Sequence, residues 1–220
     1  METLNIYIDE TKFEKDGKNY LALCLVIIKN DENISEIKEH LEKLYRELST
    51  DQFLGHDEDD RLFHFTEDSM EIKPRLIELI RTFQIKGYIA YDVLTDSTEF
   101  KKTYLKIFFK LLFHRVSKNN NCDIHVFYEE QSEIKEPNIK SIIDKIKIEF
   151  TNLKLSVTKT TKKNILICLP DYLLGVFRDT TKTPLQDYMR RNYYKLNTKV
   201  RLIHDIEKDI FYSTRNPYTF

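Results

Sequence analysis

Acidic side chains follow three short apolar segments of the chain. Asp9 and Glu10 come directly after LNIYI, Glu129 and Glu130 come after HVFY, and Asp171 comes after ILICLP. A carboxylate at the edge of a core is unfavourable unless something compensates its charge. If the three places converge, their carboxylates repel each other unless a cation lies between them. Hard oxygen ligands without cysteine favour Mg²⁺ or Mn²⁺.

Such a cluster of carboxylates suits phosphodiester hydrolysis. Two metal ions roughly 3.5–4 Å apart can activate a water molecule and stabilise the leaving oxygen of an in-line displacement. Other interpretations stay open for each residue taken singly. Asp171 could cap a helix that follows it, Glu129 and Glu130 could begin a loop, and Asp9 could pair with a lysine.

The alternation of side chains along a strand separates the paired acids. Asp9 and Glu10 cannot both point into one site while their strand stays regular, and the same holds for Glu129 and Glu130. Asp9 shares a face with Tyr7, whereas Glu10 lies on the more apolar face of the strand. The pattern therefore predicts that Asp9 projects away from the best-buried face, toward an open cleft.

His64 is a further candidate, because it lies between Phe63 and Phe65. These aromatic neighbours would hold the imidazole rigidly near a metal site, where it could act as a base or contact a phosphate. A histidine that simply packs at the edge of the core is the alternative.

The elements that must position these residues form one α/β domain over residues 1–220. The chain has 41% hydrophobic residues, enough for a sizeable core, and it has no repeat or Gly/Pro-rich linker. We predict a leading β-hairpin with its turn at Asp16-Gly17 and a mixed sheet with helices packed on its faces. The predicted strands are 4–9, 20–29, 85–94, 123–131, 153–159 and 164–169. The predicted helices are 30–49, 69–83, 97–117, 138–150, a helix opening at Pro170, and 184–196.

The sequence lacks the signals that are typical of several functional classes. None of the four glycines forms a nucleotide-binding loop pattern, no segment is long and apolar enough to span a membrane, and the first residues do not resemble a signal peptide. The three cysteines lie far apart and lack metal-site spacing. We interpret them as buried thiols in a reducing, cytoplasmic protein.

Charge is distributed unevenly although the net charge is only −1. Residues 31–71 contain 14 acidic and 4 basic residues, whereas residues 154–201 contain 11 basic and 3 acidic ones. The basic stretch is typical of a face that binds a polyanion, and a solvated lysine-rich surface is the alternative. The candidate nucleic-acid-binding residues are Lys162, Lys163, Arg178, Arg190 and Arg191.

Four ordered segments resemble the DUF3800 family, whose members resemble ribonuclease H-like enzymes. The segments are YIDET, LFHFTE, HVFYEEQ and ILICLPDYLLGVF, and together they extend over about residues 4–180. The resemblance implies a ribonuclease H-like fold in which Asp9, Glu129 and Asp171 bind the metal, with Glu10 and Glu130 as possible substitutes. The chain departs from the family pattern at Lys12, where glycine is usual, and at Pro170, where alanine is usual.

These observations lead to one main hypothesis and two alternatives. The main hypothesis is a nuclease that uses Mg²⁺ or Mn²⁺ to hydrolyse RNA or DNA; by resemblance, it would belong to a mobile-element or anti-phage system. The first alternative is a non-catalytic partner protein that presents its acidic 31–71 region to another protein. The second is a metal-dependent phosphoesterase that acts on small phosphate esters.

Overall fold

The structure is a computed structural model that describes residues 2–49, 63–96, 99–129, 131–150, 152–161 and 163–219. The strands within these ranges are β1 (Thr3–Lys15), β2 (Lys18–Lys29), β3 (Ile85–Val93), β4 (Asp123–Glu129), β5 (Lys154–Thr160), β6 (Val200–Asp205) and β7 (Ile210–Tyr212). The helices are α1 (Asp31–Ser49), α2 (Ile72–Thr82), α3 (Phe100–Val116), α4 (Glu136–Glu149), α5 (Cys168–Asp179) and α6 (Asp187–Leu196).

The described strands form one mixed sheet in the order β5-β4-β1-β2-β3-β6-β7. Strands β1, β3, β4, β5 and β6 run in the same direction, while β2 and β7 are antiparallel to their neighbours. The predicted fold class, a mixed α/β sheet with a leading hairpin and helices on its faces, is confirmed.

The leading hairpin forms because Asp16 and Gly17 adopt positive φ angles of 52° and 70°. Two consecutive residues in this region make the tight turn whose twist matches that of paired strands. The hairpin was predicted correctly, but β1 continues to Lys15 instead of ending at Asp9. Asp9 therefore lies in the middle of a strand, paired with Cys24 of β2.

Helices cover both faces of the sheet and bury two hydrophobic cores. Helices α1, α2, α5 and α6 pack on one face, together with Tyr7 and Phe13 of β1. Helices α3 and α4 pack on the other face, together with Ile6 and Ile8. Because both faces are covered, the central strands are apolar on both sides, as the sequence LALCLVII of β2 shows.

One predicted strand is not a strand in the structure. The stretch from Asn164 to Leu169 was predicted as a strand, but it forms a short 3₁₀ helix (Ile165–Ile167) that leads directly into α5. A short apolar run does not distinguish a buried strand from a buried helix. At the carboxyl end, β6 and β7 extend the sheet beyond β3.

All three cysteines are buried thiols, as predicted. Among the described residues, no helix has the length and apolar character needed to cross a membrane.

Candidate functional site

Asp9 lies where β1 separates from its parallel neighbour β4. The pairing of β1 with β4 ends at Ile8 and Tyr128, so Asp9 and Glu129 are the next residues along the two strands. Both carboxylates consequently lie where β4 ends beside β1. Asp9 is 7% exposed and points to the face that α5 covers.

The amino-terminal turn of α5 brings Asp171 close to Asp9 and Glu129. Its carboxylate oxygen Oδ2 accepts a hydrogen bond from the backbone N–H of Phe65 at 2.7 Å. The helix begins at Cys168, so Asp171 lies inside the first turn and does not cap the helix. The interpretation that it acts only as a cap is therefore wrong.

Asp9, Glu129 and Asp171 line one narrow cavity, together with His64 and Asn164. Its volume is about 10 Å³, which is close to the ~10–15 Å³ that a single water molecule needs. The cavity has room for a small ion or one water. The open cleft that the sequence suggested is wrong, because α5 and the Phe63–Phe65 segment cover Asp9.

Electrostatic repulsion is concentrated on Asp9. Burial raises the pKa of its carboxyl well above the ordinary value, and the neighbouring carboxylates of Glu10, Asp171 and Glu129 raise it further. A raised pKa means that the ionised form of Asp9 is unfavourable in the folded protein. A cation placed among these groups would remove that penalty.

The acids beside the main candidates take different positions. Glu10 points to the opposite face of the sheet, on which α3 packs. The pKa of Tyr104 on α3 is raised mainly by burial and next by the charge of Glu10. The strand alternation therefore separates Asp9 and Glu10, as predicted. Glu130 lies outside the described residues, as does Lys162.

A tight turn positions His64 at the cavity. The carbonyl of His64 accepts hydrogen bonds from the backbone N–H groups of Glu67 and Asp68. The carboxylate of Asp68 in turn accepts a hydrogen bond from the hydroxyl of Tyr172 on α5. Phe63 and Phe65 on either side are 7% and 2% exposed, so the backbone on both sides of His64 is anchored in the core.

Gly175 lets Phe65 lie directly on α5. A Cβ atom at Gly175 would be 2.1 Å from Cγ and Cδ1 of the Phe65 ring, so only glycine allows this contact. Asp171, Gly175 and Arg178 lie on one side of the helix because they are four and three residues apart. Arg178 continues the contact, since Nη1 lies 3.3 Å from Oγ1 of Thr66 and its guanidinium lies over the Phe65 ring.

A basic cavity of about 360 Å³ lies beside Phe65, Thr66 and Arg178. Five basic residues and one acidic residue, Asp179, contribute to its lining. The basic residues are Lys73, Arg178, Lys182, Arg191 and Lys195. Asp171 and Arg178 are about 10.5 Å apart along α5, at ~1.5 Å per residue. The basic cavity therefore lies beside the carboxylates.

The structure separates the predicted nucleic-acid-binding residues into two groups. Arg178 and Arg191 line the basic cavity. Arg190 is exposed but is not part of the lining, and Lys163 is exposed next to Asn164 at the carboxylate cavity. In the acidic 31–71 region, α1 is described and residues 50–62 are not.

The donor set at the narrow cavity fits a hard divalent cation in its chemistry. Three carboxylates supply oxygen ligands, which Mg²⁺ and Mn²⁺ prefer. Within the described ranges, however, no three His, Cys, Asp or Glu side chains are arranged to hold an ion as they stand. Ion binding would therefore have to reorient at least one of these side chains.

Sequence reasoning missed several residues that build the site. Asn164 lines the cavity, and its side-chain oxygen accepts the backbone N–H of Leu166 at the start of the 3₁₀ helix. An asparagine before an apolar run is a known helix-start signal and could have identified it. Asp68 and Gly175 had no such local signal, because their roles depend on contacts distant in sequence.

Comparison with solved structures gives a distant similarity. The chain is similar to the ribonuclease H2 from Pyrococcus horikoshii OT3, with 12% sequence identity and a TM-score of 0.43. The alignment covers 90% of this chain and 88% of that chain. No protein-family model matches the chain, and no curated protein sequence is significantly similar to it.

Proposed function

We propose that this protein is a nuclease that hydrolyses phosphodiester bonds with the help of Mg²⁺ or Mn²⁺. The observation that carries the proposal is the buried Asp9 carboxylate, which shares one narrow cavity with Glu129 and Asp171. Membership of the DUF3800 family and a role in a mobile-element or anti-phage system belong to the same proposal.

The residues of the chain have distinct tasks in this proposal. Asp9, Glu129 and Asp171 would hold the metal, which would supply activation of water and stabilisation of the leaving oxygen. The N–H of Phe65 orients Asp171, because it donates to one of the two carboxylate oxygens. The imidazole of His64 lies at the cavity, where it can accept or donate a proton during the displacement.

The basic cavity supports a polymeric substrate. Arg178 lies two helical turns from Asp171, about 10.5 Å along α5 at ~1.5 Å per residue. A strand whose scissile phosphate contacts a metal ion held by the three carboxylates would also place other phosphates near Arg178 and Arg191 of the basic cavity. A small phosphate ester cannot use both places at once, so the geometry favours nucleic acid.

A cleavage assay with labelled RNA, DNA and hybrid oligonucleotides tests the proposal. We expect cleavage that requires Mg²⁺ or Mn²⁺ and is lost in Asp9→Asn, while Lys101→Ala on the opposite face keeps it. Small phosphate esters serve as the comparison set. Hydrolysis of the esters without cleavage of any oligonucleotide would favour the phosphoesterase alternative. No activity and no metal binding would favour the non-catalytic partner protein.

A further inference from the structure

A second basic cavity lies on the opposite face of the sheet. Its volume is about 490 Å³, within the range of ~300–1,000 Å³ that is typical of small-molecule sites. It lies between the carboxyl end of α3 and the strands β3 and β6. Asp9 faces the α5 side of the sheet, so this cavity is separate from the carboxylate site.

In the part of the chain that the structure describes, the lining of this cavity contains several cationic side chains and no carboxylate. The lining residues are Lys86, Tyr88, His114, Arg115, Lys118, Arg201, Leu202 and Phe211. Lys86, Lys118 and Arg201 are exposed, so their charged ends can turn toward a ligand. The positive field also acts on His114, whose pKa is lowered by burial and then by Arg115, Lys118 and His204.

Arg115 is the best evidence that the cavity is built for an anion. The residue is only 7% exposed, and its guanidinium lies 4.0 Å from the centre of the Tyr88 ring. Among the described residues, no carboxylate forms an ion pair with it. A buried cation without an anionic partner is unfavourable, and a bound anion would supply that partner in bidentate geometry.

The aromatic residues indicate what else the ligand carries. Phe211 is 40% exposed, and its ring is stacked on His204 at 3.9 Å, which fixes its orientation. An exposed, fixed ring beside a group of cations suits a planar base attached to a phosphate. Inorganic phosphate alone would leave most of the volume and the Phe211 ring unused.

We propose that this cavity binds a nucleoside phosphate, with the phosphate at Arg115, Lys118 and Arg201 and the base against Phe211. The inference does not rest on nuclease activity, because the cavity shares no residue with the carboxylate site.

Isothermal titration of the full chain with AMP and ADP tests this proposal. Lys118→Ala combined with Arg201→Ala removes two exposed cations and leaves the buried Arg115 in place. We expect this double variant to weaken binding by at least about tenfold, which corresponds to ~1.4 kcal/mol. Lys101→Ala, an exposed lysine on the same helix outside the cavity, should bind like the wild type.

Further titrations separate the contribution of the base from that of the phosphate. Phe211→Ala should weaken AMP binding but leave binding of inorganic phosphate unchanged, and Asp9→Asn should leave AMP binding unchanged. Equal affinity for inorganic phosphate and AMP would overturn the nucleoside part. Absence of AMP binding at millimolar concentration, binding of oligonucleotides alone, or unchanged binding in the double variant would overturn the proposal.

Discussion

Replacing Gly175 by alanine should disrupt the contact that orders the candidate site. The new Cβ would lie 2.1 Å from Cγ and Cδ1 of Phe65 and 2.8 Å from its Cβ. Ordinary contacts of this kind are 3.4–4 Å, so the Phe65 ring has to move by about 1.3 Å. Because the base of the ring is involved, rotation of the side chain cannot relieve the overlap.

The size of the effect follows from three contributions. Overpacking a buried site costs ~1–3 kcal/mol, and loss of the Phe65 N–H bond to the ionised Asp171 adds ~1.5–3 kcal/mol. Alanine in place of glycine inside a helix stabilises the folded state by ~1 kcal/mol. We therefore expect Gly175→Ala to lower the free energy of unfolding by about 1.5–5 kcal/mol and to reduce cleavage.

Urea unfolding of the metal-free protein measures this effect, and a double-mutant cycle with Phe65→Ala assigns its cause. In the Phe65→Ala background the ring is gone and only the 2.8 Å approach to Cβ of residue 65 remains, so Gly175→Ala should destabilise clearly less than it does in the wild type. An equal destabilisation in both backgrounds would refute the contact. A Gly175→Ala protein as stable and active as the wild type would refute the prediction altogether.

Three further predictions concern charge and metal. Asp9→Asn should abolish cleavage, and in the metal-free state it should melt no lower than the wild type in a thermal scan, because it relieves the repulsion that raises the pKa of Asp9. Arg191→Ala should reduce the log–log salt slope of nucleic-acid binding by ~0.7–0.9, while the neighbouring Arg190→Ala, outside the cavity lining, should leave it unchanged; equal slopes in titrations of the two variants would contradict the interface. Chelation should stop cleavage, Mg²⁺ or Mn²⁺ should restore it and Ca²⁺ should restore it poorly because of its looser coordination; undiminished activity in excess EDTA would contradict the metal mechanism.

Local signals in the sequence were sufficient for the hairpin and for most of the sheet. Asp16-Gly17 favours one turn type, and the long apolar strands indicate a sheet that is covered on both faces. The alternation of side chains also separated Asp9 from Glu10, because that inference depends only on the geometry of a regular strand.

The surroundings of the candidate site depend on contacts that are distant in sequence. Asp171 and Phe65 are 106 residues apart, and neither residue carries a local sign of the bond between them. The start of α5 was missed because an apolar run bounded by Asn164 is compatible with either a strand or a helix. The burial of Asp9 was not predicted either, because α5 is the element that covers it and its start was not predicted.

The most direct test of the central claim is anomalous diffraction from crystals of the wild-type protein soaked in MnCl₂. We predict a manganese peak among Asp9, Glu129 and Asp171, with at least one carboxylate reoriented toward it, and no such peak in Asp9→Asn crystals. Wild-type crystals without manganese at these three carboxylates, in a protein that nevertheless cleaves nucleic acid, would contradict the claim.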